Sequence, residues 1–150
     1  GSTNDLASSL HLSSKIMTAA EDIMEQADHI EEWTMMGHSL GGSMAGTYLT
    51  DNYRDYEGLI LLASYVTNDL TLTNLNVISI YGSEDKVLNK DKYKKYKVNL
   101  PDSFEEMVIH GGNHAYFGVY GEQKGDGNAT INNQQQIQQT AVILDKLILE

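Results

Sequence analysis

The 150-residue sequence contains no cysteine. This absence excludes disulfide bonds, a catalytic thiolate, and zinc or iron–sulfur sites built on cysteine. Proline occurs once and long polar runs are few, so extensive disorder is not expected. No apolar run approaches the ~18 residues of a transmembrane helix. The length predicts one folded domain over residues 1–150, since ~100–200 residues is usual for a domain; the compartment is not indicated.

Positive charge is also scarce, with 10 basic against 21 acidic residues and a formal net charge of -11. Such a field repels phosphate backbones, which argues against nucleic acid as a partner. It equally disfavours anionic membrane surfaces and strongly anionic substrates. A small neutral ester or amide would meet no such barrier, so the charge favours a small-molecule substrate of that kind.

Apolar runs alternate with segments of helical periodicity along the chain. Residues 58–63 and 76–81 are continuous apolar runs, typical of strands buried on both faces of a parallel sheet. The pattern predicts further strands at 32–36 and 104–109 and helices at 14–27, 41–53, 89–96 and 132–149. It therefore predicts an α/β fold, a parallel sheet with helices on both faces. In the last helix, we expect the buried stripe to be Ile137, Ala141, Leu144 and Leu147 or Ile148.

The segment Gly37-His-Ser-Leu-Gly41 matches the pattern G-x-S-x-G between an apolar run and a helix rich in small residues. In that context a serine occupies a strained turn that lifts its hydroxyl above the sheet. We expect Gly37 and Gly41, two positions away on either side, to leave no room for a Cβ atom. The pattern therefore predicts Ser39 as a nucleophile and the backbone N–H of Leu40 as a donor in an oxyanion hole.

A serine hydroxyl needs a base and a carboxylate that orients the base, in the chain order Ser, Asp or Glu, His. Asp85 follows the strand predicted at 76–81 and is preferred over its neighbour Glu84, because it lies three residues past Gly82. Ligands bind at the carboxyl ends of parallel strands, where this loop is expected. The pattern predicts Asp85 as the acid.

The base is expected after the fourth strand. His114 follows Gly111-Gly112, in a loop that can reach over Ser39, whereas the competing His110 still belongs to the strand end. His38, inside the serine turn, is expected to point away from the hydroxyl and to pack. The segment Gly125-Asp-Gly127 has too few oxygen ligands nearby for a calcium loop and indicates a tight turn.

These motifs together resemble the dienelactone-hydrolase-like small α/β-hydrolases, α/β-hydrolase family 5. The resemblance rests on Gly37-His-Ser-Leu-Gly-Gly42, Gly58-Leu-Ile-Leu-Leu-Ala63, Ile80-Tyr-Gly-Ser-Glu-Asp85, Gly111-Gly-Asn-His-Ala-Tyr-Phe-Gly118, Tyr120-Gly121 and Gly125-Asp-Gly-Asn-Ala-Thr-Ile131. It implies an α/β-hydrolase fold and a serine hydrolase, a carboxylesterase by type, with Ser39, Asp85 and His114 as its triad. It also implies no metal and no organic cofactor.

The sequence departs from that family at its beginning. Members start with two or more further strands, and one of their loops donates the second oxyanion-hole N–H. Here about a dozen residues precede the first predicted helix, and Gly1-Ser2 resembles the scar of a removed tag, which predicts an N-terminally truncated hydrolase fold. The strand at 32–36 would then lie at a sheet edge and would pair with residues 3–12 or with a second copy of the chain.

Two rival interpretations stay open on the sequence alone. One is a catalytically silent hydrolase-fold fragment with a role in folding or interaction. The other is a metal site built on His110 and His114.

Overall fold

Four strands form one parallel sheet in the computed structural model, which describes residues 18–148. The strands pair in chain order, each parallel to the next. They are β1 (Thr34–His38), β2 (Gly58–Leu62), β3 (Asn76–Gly82) and β4 (Glu105–Ile109). All four predicted strands are therefore present, with ends that differ by a residue or two.

Four helices accompany the strands among the described residues: α1 (residues 18–26), α2 (Leu40–Asn52), α3 (Lys90–Tyr96) and α4 (Asn133–Ile148). The start of α3 is set by Asn89, whose side-chain oxygen accepts a hydrogen bond from Lys92 N at 2.9 Å and so satisfies one of the donors left free at a helix N-terminus. The chain divides into two units, Gly1–Trp33 and Thr34–Glu150. The sheet, α2, α3 and α4 belong to the second, and the single-domain expectation stays a prediction.

The two faces of the sheet carry different layers. On one face, strand residues including Ile60, Ile78 and Ile80 form a core against which Leu144 of α4 packs. Side chains alternate between faces along a strand, so Ser79 points to the opposite face, where its hydroxyl bonds the Tyr93 hydroxyl of α3 at 2.9 Å. Helices cover both faces, and the prediction of an α/β fold with a parallel sheet is confirmed.

The buried stripe predicted for α4 is wrong at the start of the helix, whereas its later residues Leu144 and Leu147 are confirmed. Ile137 and Ala141 are exposed, and Gln136 and Thr140 are the buried residues instead. Ile143, Leu144 and Leu147 continue the stripe against the core. Gln136 is 0% exposed because its side chain hydrogen-bonds the buried backbone of Asn113, which an apolar residue could not do.

Strand β1 lies at one end of the sheet and, among the described residues, pairs on one side only, with β2. Its Met36 is 59% exposed, so the edge is apolar. Self-association through this edge stays a prediction. The alternative partner strand at residues 3–12 lies outside the described residues.

Candidate active site

Ser39 occupies the turn between β1 and α2. Its φ of 54° lies in a region that non-glycine residues seldom adopt. Among the described residues the only other non-glycine with positive φ is Ala63, at 48°, and both residues line the same cleft. Strained backbone of this kind is concentrated at functional sites.

The glycines of the turn differ in how tightly they are packed. A Cβ on Gly37 would collide with the backbone of Gly41 and Gly42, as expected. The expectation for Gly41 is wrong, because nothing lies within 4 Å of a Cβ placed there. The second crowded glycine is Gly42, where a Cβ would come within 2.6 Å of Ser64 Oγ, because α2 leaves the turn with this residue facing β2.

Two hydrogen bonds tie the backbone of Ser39 to the end of β2 and the residues just after it. Its N–H donates to Leu62 O at 2.9 Å, and its carbonyl oxygen accepts from Ser64 Oγ at 2.7 Å. Ser64 is buried, and sequence reasoning missed it because nothing local marks this serine. The strained turn is therefore held from the end of β2, the strand next to it.

Asp85 lies in the loop after β3 and is 1% exposed. Its Oδ1 accepts hydrogen bonds from Val87 N and Leu88 N, both at 2.8 Å, and its Oδ2 faces the His114 ring. Burial by itself would raise the pKa of Asp85, but the hydrogen bonds from His114, Leu88 and Val87 outweigh it and hold that pKa below its usual value. The residue is an anion at neutral pH.

His114 joins the other two predicted residues. Its Nδ1 lies 2.8 Å from Asp85 Oδ2 and its Nε2 lies 3.0 Å from Ser39 Oγ. Because an ionised carboxylate can only accept, the proton is assigned to Nδ1, and Nε2 is left to accept from the serine hydroxyl. The three residues thus form one chain of hydrogen bonds although 46 and 29 positions separate them along the sequence (85 − 39 and 114 − 85).

The competing residues lie elsewhere. Glu84 accepts a hydrogen bond from Ser83 Oγ at 2.9 Å and does not bond His114. His110 is exposed in the turn just after β4, whereas both ring nitrogens of His114 are already engaged with Asp85 and Ser39. Residues 18–148 hold no group of three or more His, Cys, Asp or Glu side chains that could bind a metal ion.

His38 contacts both the backbone and the ring of His114. Its Nε2 donates to the carbonyl oxygen of His114 at 2.9 Å, and its ring lies 4.8 Å from the His114 ring and stacks on Tyr120 at 5.7 Å. Burial, and then the neighbouring His114, lower the pKa of His38. The expectation that His38 turns away from the Ser39 hydroxyl and packs agrees with this geometry.

A cleft of about 240 Å³ opens beside the Ser39 hydroxyl and the His114 ring. Helix α2 begins at Leu40, so the Leu40 N–H has no partner within the helix and is available at this cleft. Further walls come from Ser43, Ser64, Tyr65, Val87, Leu88 and Asn89. The described residues that line the cleft include no Asp, Glu, Lys or Arg.

A match to a protein-family model identifies the family of this chain. Residues 9–138 match the model of an alpha/beta hydrolase family, which is most of the chain. The chain belongs to the alpha/beta hydrolase family. No curated protein matches it at a significant level.

Solved structures show the same alpha/beta hydrolase fold at low identity. A predicted CIB-like hydrolase from Thermoplasma acidophilum is 15% identical with a TM-score of 0.62, over 89% of this chain and 60% of that one. A structure from work on the carboxylesterases of Nitrososphaera gargenis is 13% identical with a TM-score of 0.62, over 91% and 72%. The monoacylglycerol lipase of Paleococcus ferrophilus is 11% identical with a TM-score of 0.63, over 91% and 75%. This chain thus spans 60% of the length of the Thermoplasma protein.

Two polar residues, the buried Gln136 and the half-buried Asp126, hold the loop that carries His114 in this hydrolase-family chain. The side chain of Gln136 accepts from Asn113 N at 3.0 Å and donates to Asn113 O at 2.8 Å. The carboxylate of Asp126 accepts from His114 N at 3.2 Å and from Ala115 N at 2.9 Å. Neither residue was singled out from the sequence. The only available signal was the segment of the resemblance that contains Asp126.

No helix in the described part of the hydrolase chain combines the length and apolarity needed to cross a membrane.

Proposed function

We propose that the chain is a serine hydrolase that cleaves small carboxylic esters through an acyl-enzyme on Ser39. The observation that carries the proposal is the unbroken series of hydrogen bonds from Ser39 Oγ through the His114 ring to Asp85, with distances of 3.0 and 2.8 Å. Nucleophile, base and orienting carboxylate lie within the reach that such chemistry requires.

In the first step, Ser39 Oγ attacks the ester carbonyl while His114 Nε2 accepts the hydroxyl proton. Asp85 stabilises the imidazolium that forms and keeps its orientation. The Leu40 N–H donates to the developing oxyanion. The tetrahedral intermediate collapses as His114 gives the proton to the leaving alkoxide, so the alcohol departs and the acyl group stays on Ser39.

In the second step, water replaces the alcohol. His114 accepts a proton from the water, whose oxygen attacks the acyl carbonyl, and then returns that proton to Ser39 Oγ as the ester bond to the serine breaks. The carboxylic acid is released and the enzyme returns to its starting state. No metal or organic cofactor has a part in this cycle.

Size and charge favour a small neutral substrate. The cleft is small, about 240 Å³, which favours a short acyl group. The net charge of -11 disfavours anionic esters. Two structures that share the fold carry the names carboxylesterase and monoacylglycerol lipase, which supports an ester as the substrate class.

Turnover is expected to be slow if Leu40 N–H acts alone. Losing one oxyanion donor typically lowers the turnover number by ~10²–10³, and Leu40 is the donor we assign among the described residues. The assay therefore needs a reactive ester and a sensitive detector.

The test is hydrolysis of p-nitrophenyl acetate or butyrate by the wild type, Ser39→Ala and Ser103→Ala. Ser103 is an exposed serine outside the cleft, so its variant controls for the loss of a hydroxyl elsewhere. We expect Ser39→Ala to fall to the background rate and Ser103→Ala to match the wild type. Labelling with a fluorophosphonate probe should modify Ser39. Equal rates for wild type and Ser39→Ala, with no labelling of Ser39, would leave the chain as a silent fragment of the fold.

A further inference from the structure

The carboxylate of Asp126 lies between the loop of the candidate acid and the loop of the candidate base. Its Oδ1 accepts from Gly127 N at 2.7 Å and from His114 N at 3.2 Å, with a longer contact to Lys86 N at 3.5 Å. Its Oδ2 accepts from Ala115 N at 2.9 Å. One side chain thus contacts the backbone of His114 and of the residue that follows Asp85 in the chain.

The turn that carries Asp126 is itself pressed between these loops. Gly125 has a φ of 86°, a conformation that favours glycine. A Cβ on Gly127 would collide with the carbonyl oxygen of Glu84, so only glycine allows the turn to come this close to the acid loop. On the other side, Asn113 Nδ2 donates to Gly127 O at 3.0 Å. The turn is therefore tied to both loops by more than one contact.

We infer that Asp126 is a positioning residue that holds His114 in register with Asp85 and Ser39. The inference rests on the proposed function. Asp126 does not contact the His114 ring; it acts through the backbone N–H groups of His114 and Ala115. Hydrogen bonds to an ionised acceptor are roughly twice as strong as neutral ones, and a displacement of ~1 Å at a reacting group can cost ~10²-fold in rate.

Two variants separate geometry from charge. Asp126→Asn removes the charge and keeps an oxygen at the Oδ1 position for the His114 and Gly127 contacts. Its amide nitrogen takes the Oδ2 position and loses the Ala115 contact, because both groups are donors. Asp126→Glu keeps the charge but moves the carboxylate by one methylene. If Asp126 acts by position, the Asn variant, which keeps the Oδ1 contacts, should lose less activity than the Glu variant, which moves the whole carboxylate. If its charge acted directly on the His114 ring, the order would be reversed.

The kinetic experiment measures kcat and KM for p-nitrophenyl butyrate with both variants, Asp126→Ala and the exposed control Asp102→Asn. We expect kcat to fall ~10- to 100-fold for the Glu and Ala variants with KM changed less than ~3-fold, because the cleft walls stay in place. Asp126→Asn should lose less, ~3- to 10-fold, because it gives up only the Ala115 contact, and Asp102→Asn should be unchanged. Wild-type kcat in Asp126→Glu, or equal losses in the Asn and Glu variants, would overturn the inference. The Asn and Glu pair decides the question even if Asp126→Ala does not fold.

A second readout does not depend on turnover. The Nδ1 proton of His114, bonded to Asp85, should give a far-downfield proton resonance that Asp85→Asn removes. We expect this resonance to persist in Asp126→Asn and to broaden or vanish in Asp126→Glu, while circular dichroism shows both folded. An unchanged resonance in folded Asp126→Glu would refute the positioning role. A wild type with this resonance pattern but without Ser39-dependent hydrolysis would contradict the proposed function alone.

Discussion

Replacing Asp85 by Asn tests the proposed mechanism by exchanging one atom, the carboxylate oxygen Oδ2 that faces His114 Nδ1. The Asn oxygen can keep the Oδ1 contacts to Val87 N and Leu88 N, both 2.8 Å in the wild type. The amide nitrogen then takes the place of Oδ2, 2.8 Å from His114 Nδ1. Because an amide nitrogen donates, Nδ1 must become the acceptor and the ring proton moves to Nε2. The ring then presents a donor to Ser39 and cannot accept the hydroxyl proton.

The expected loss is large and falls on kcat. A wrong histidine tautomer in a Ser-His-Asp site costs ~10⁴ in turnover, which is about 5.4 kcal/mol of transition-state stabilisation at 1.36 kcal/mol for each factor of ten. KM should change little, since the backbone bonds that hold Val87 and Leu88 in the cleft wall persist.

The assay compares Asp85→Asn with Glu84→Gln, the same chemical change one residue earlier. Glu84 bonds Ser83 rather than His114, so its variant should keep wild-type kcat. Hydrolysis of p-nitrophenyl butyrate and the rate of fluorophosphonate labelling report the two activities. The reasoning is refuted if Asp85→Asn retains more than about a tenth of the wild-type kcat, or if Glu84→Gln loses as much as Asp85→Asn.

The pH dependence of stability provides a second, independent test of Asp85→Asn. The folded-state pKa of Asp85 lies below its ordinary 3.8. A depressed carboxyl pKa contributes stability that is present above the unfolded-state value and is lost as pH falls through the folded-state value. Urea unfolding should therefore show the wild type losing stability relative to Asp85→Asn as the pH drops through the interval between the unfolded-state and folded-state pKa of Asp85.

Two further predictions concern the turn and its support. Gly42→Ala should destabilise the fold and lower kcat, because a Cβ there would lie 2.6 Å from Ser64 Oγ. Gly41→Ala has open space at that position and should be neutral or stabilise α2 by up to ~1 kcal/mol. Urea unfolding and the ester assay measure both variants, and equal effects of the two substitutions would contradict the packing described for the turn. His38→Gln keeps a donor for His114 O but cannot titrate. The folded-state pKa of His38 is lowered from 6.5, so the wild type should lose stability as the pH falls from that value, and the Gln variant should lose less. Urea midpoints at about pH 7.5 and about pH 5.5 measure the difference. Equal losses in the two proteins would contradict the burial of a neutral His38 ring.

The parts of the site that depend on local chemistry were predictable from the sequence. Ser39 was predictable because a strained strand-to-helix turn needs its glycines, and the structure gives this serine a φ of 54°. Asp85 and His114 were predictable as positions because each follows a strand whose apolar run is plain in the sequence. The family and the fold class followed from the same segments. The roles assigned to the three residues stay a proposal.

What the sequence did not reveal depends on contacts between distant segments. Gln136 stands in a polar stretch that looks like a solvated helix face, and it is buried because Asn113 N and O need partners at 3.0 and 2.8 Å. The first half of α4 therefore buries Gln136 and Thr140 in place of the predicted Ile137 and Ala141. Asp126 looked like part of a surface turn for a similar reason. Ser64 has no local mark at all, since its partner is the carbonyl of Ser39, 25 positions earlier.

The geometry of the site depends on paired polar side chains more than on its helices. Asp85 bonds backbone N–H groups of its own loop and the His114 ring. Asp126 bonds the backbone of His114 and Ala115, and Gln136 holds the backbone next to His114. Within residues 18–148, no buried side-chain nitrogen or oxygen lacks a hydrogen-bond partner. A fully satisfied network in a low-dielectric interior is stiff, and its members strengthen one another. Substitutions within it should therefore be non-additive, and the cost of moving His114 should depend on which of the loops that hold it has already been released.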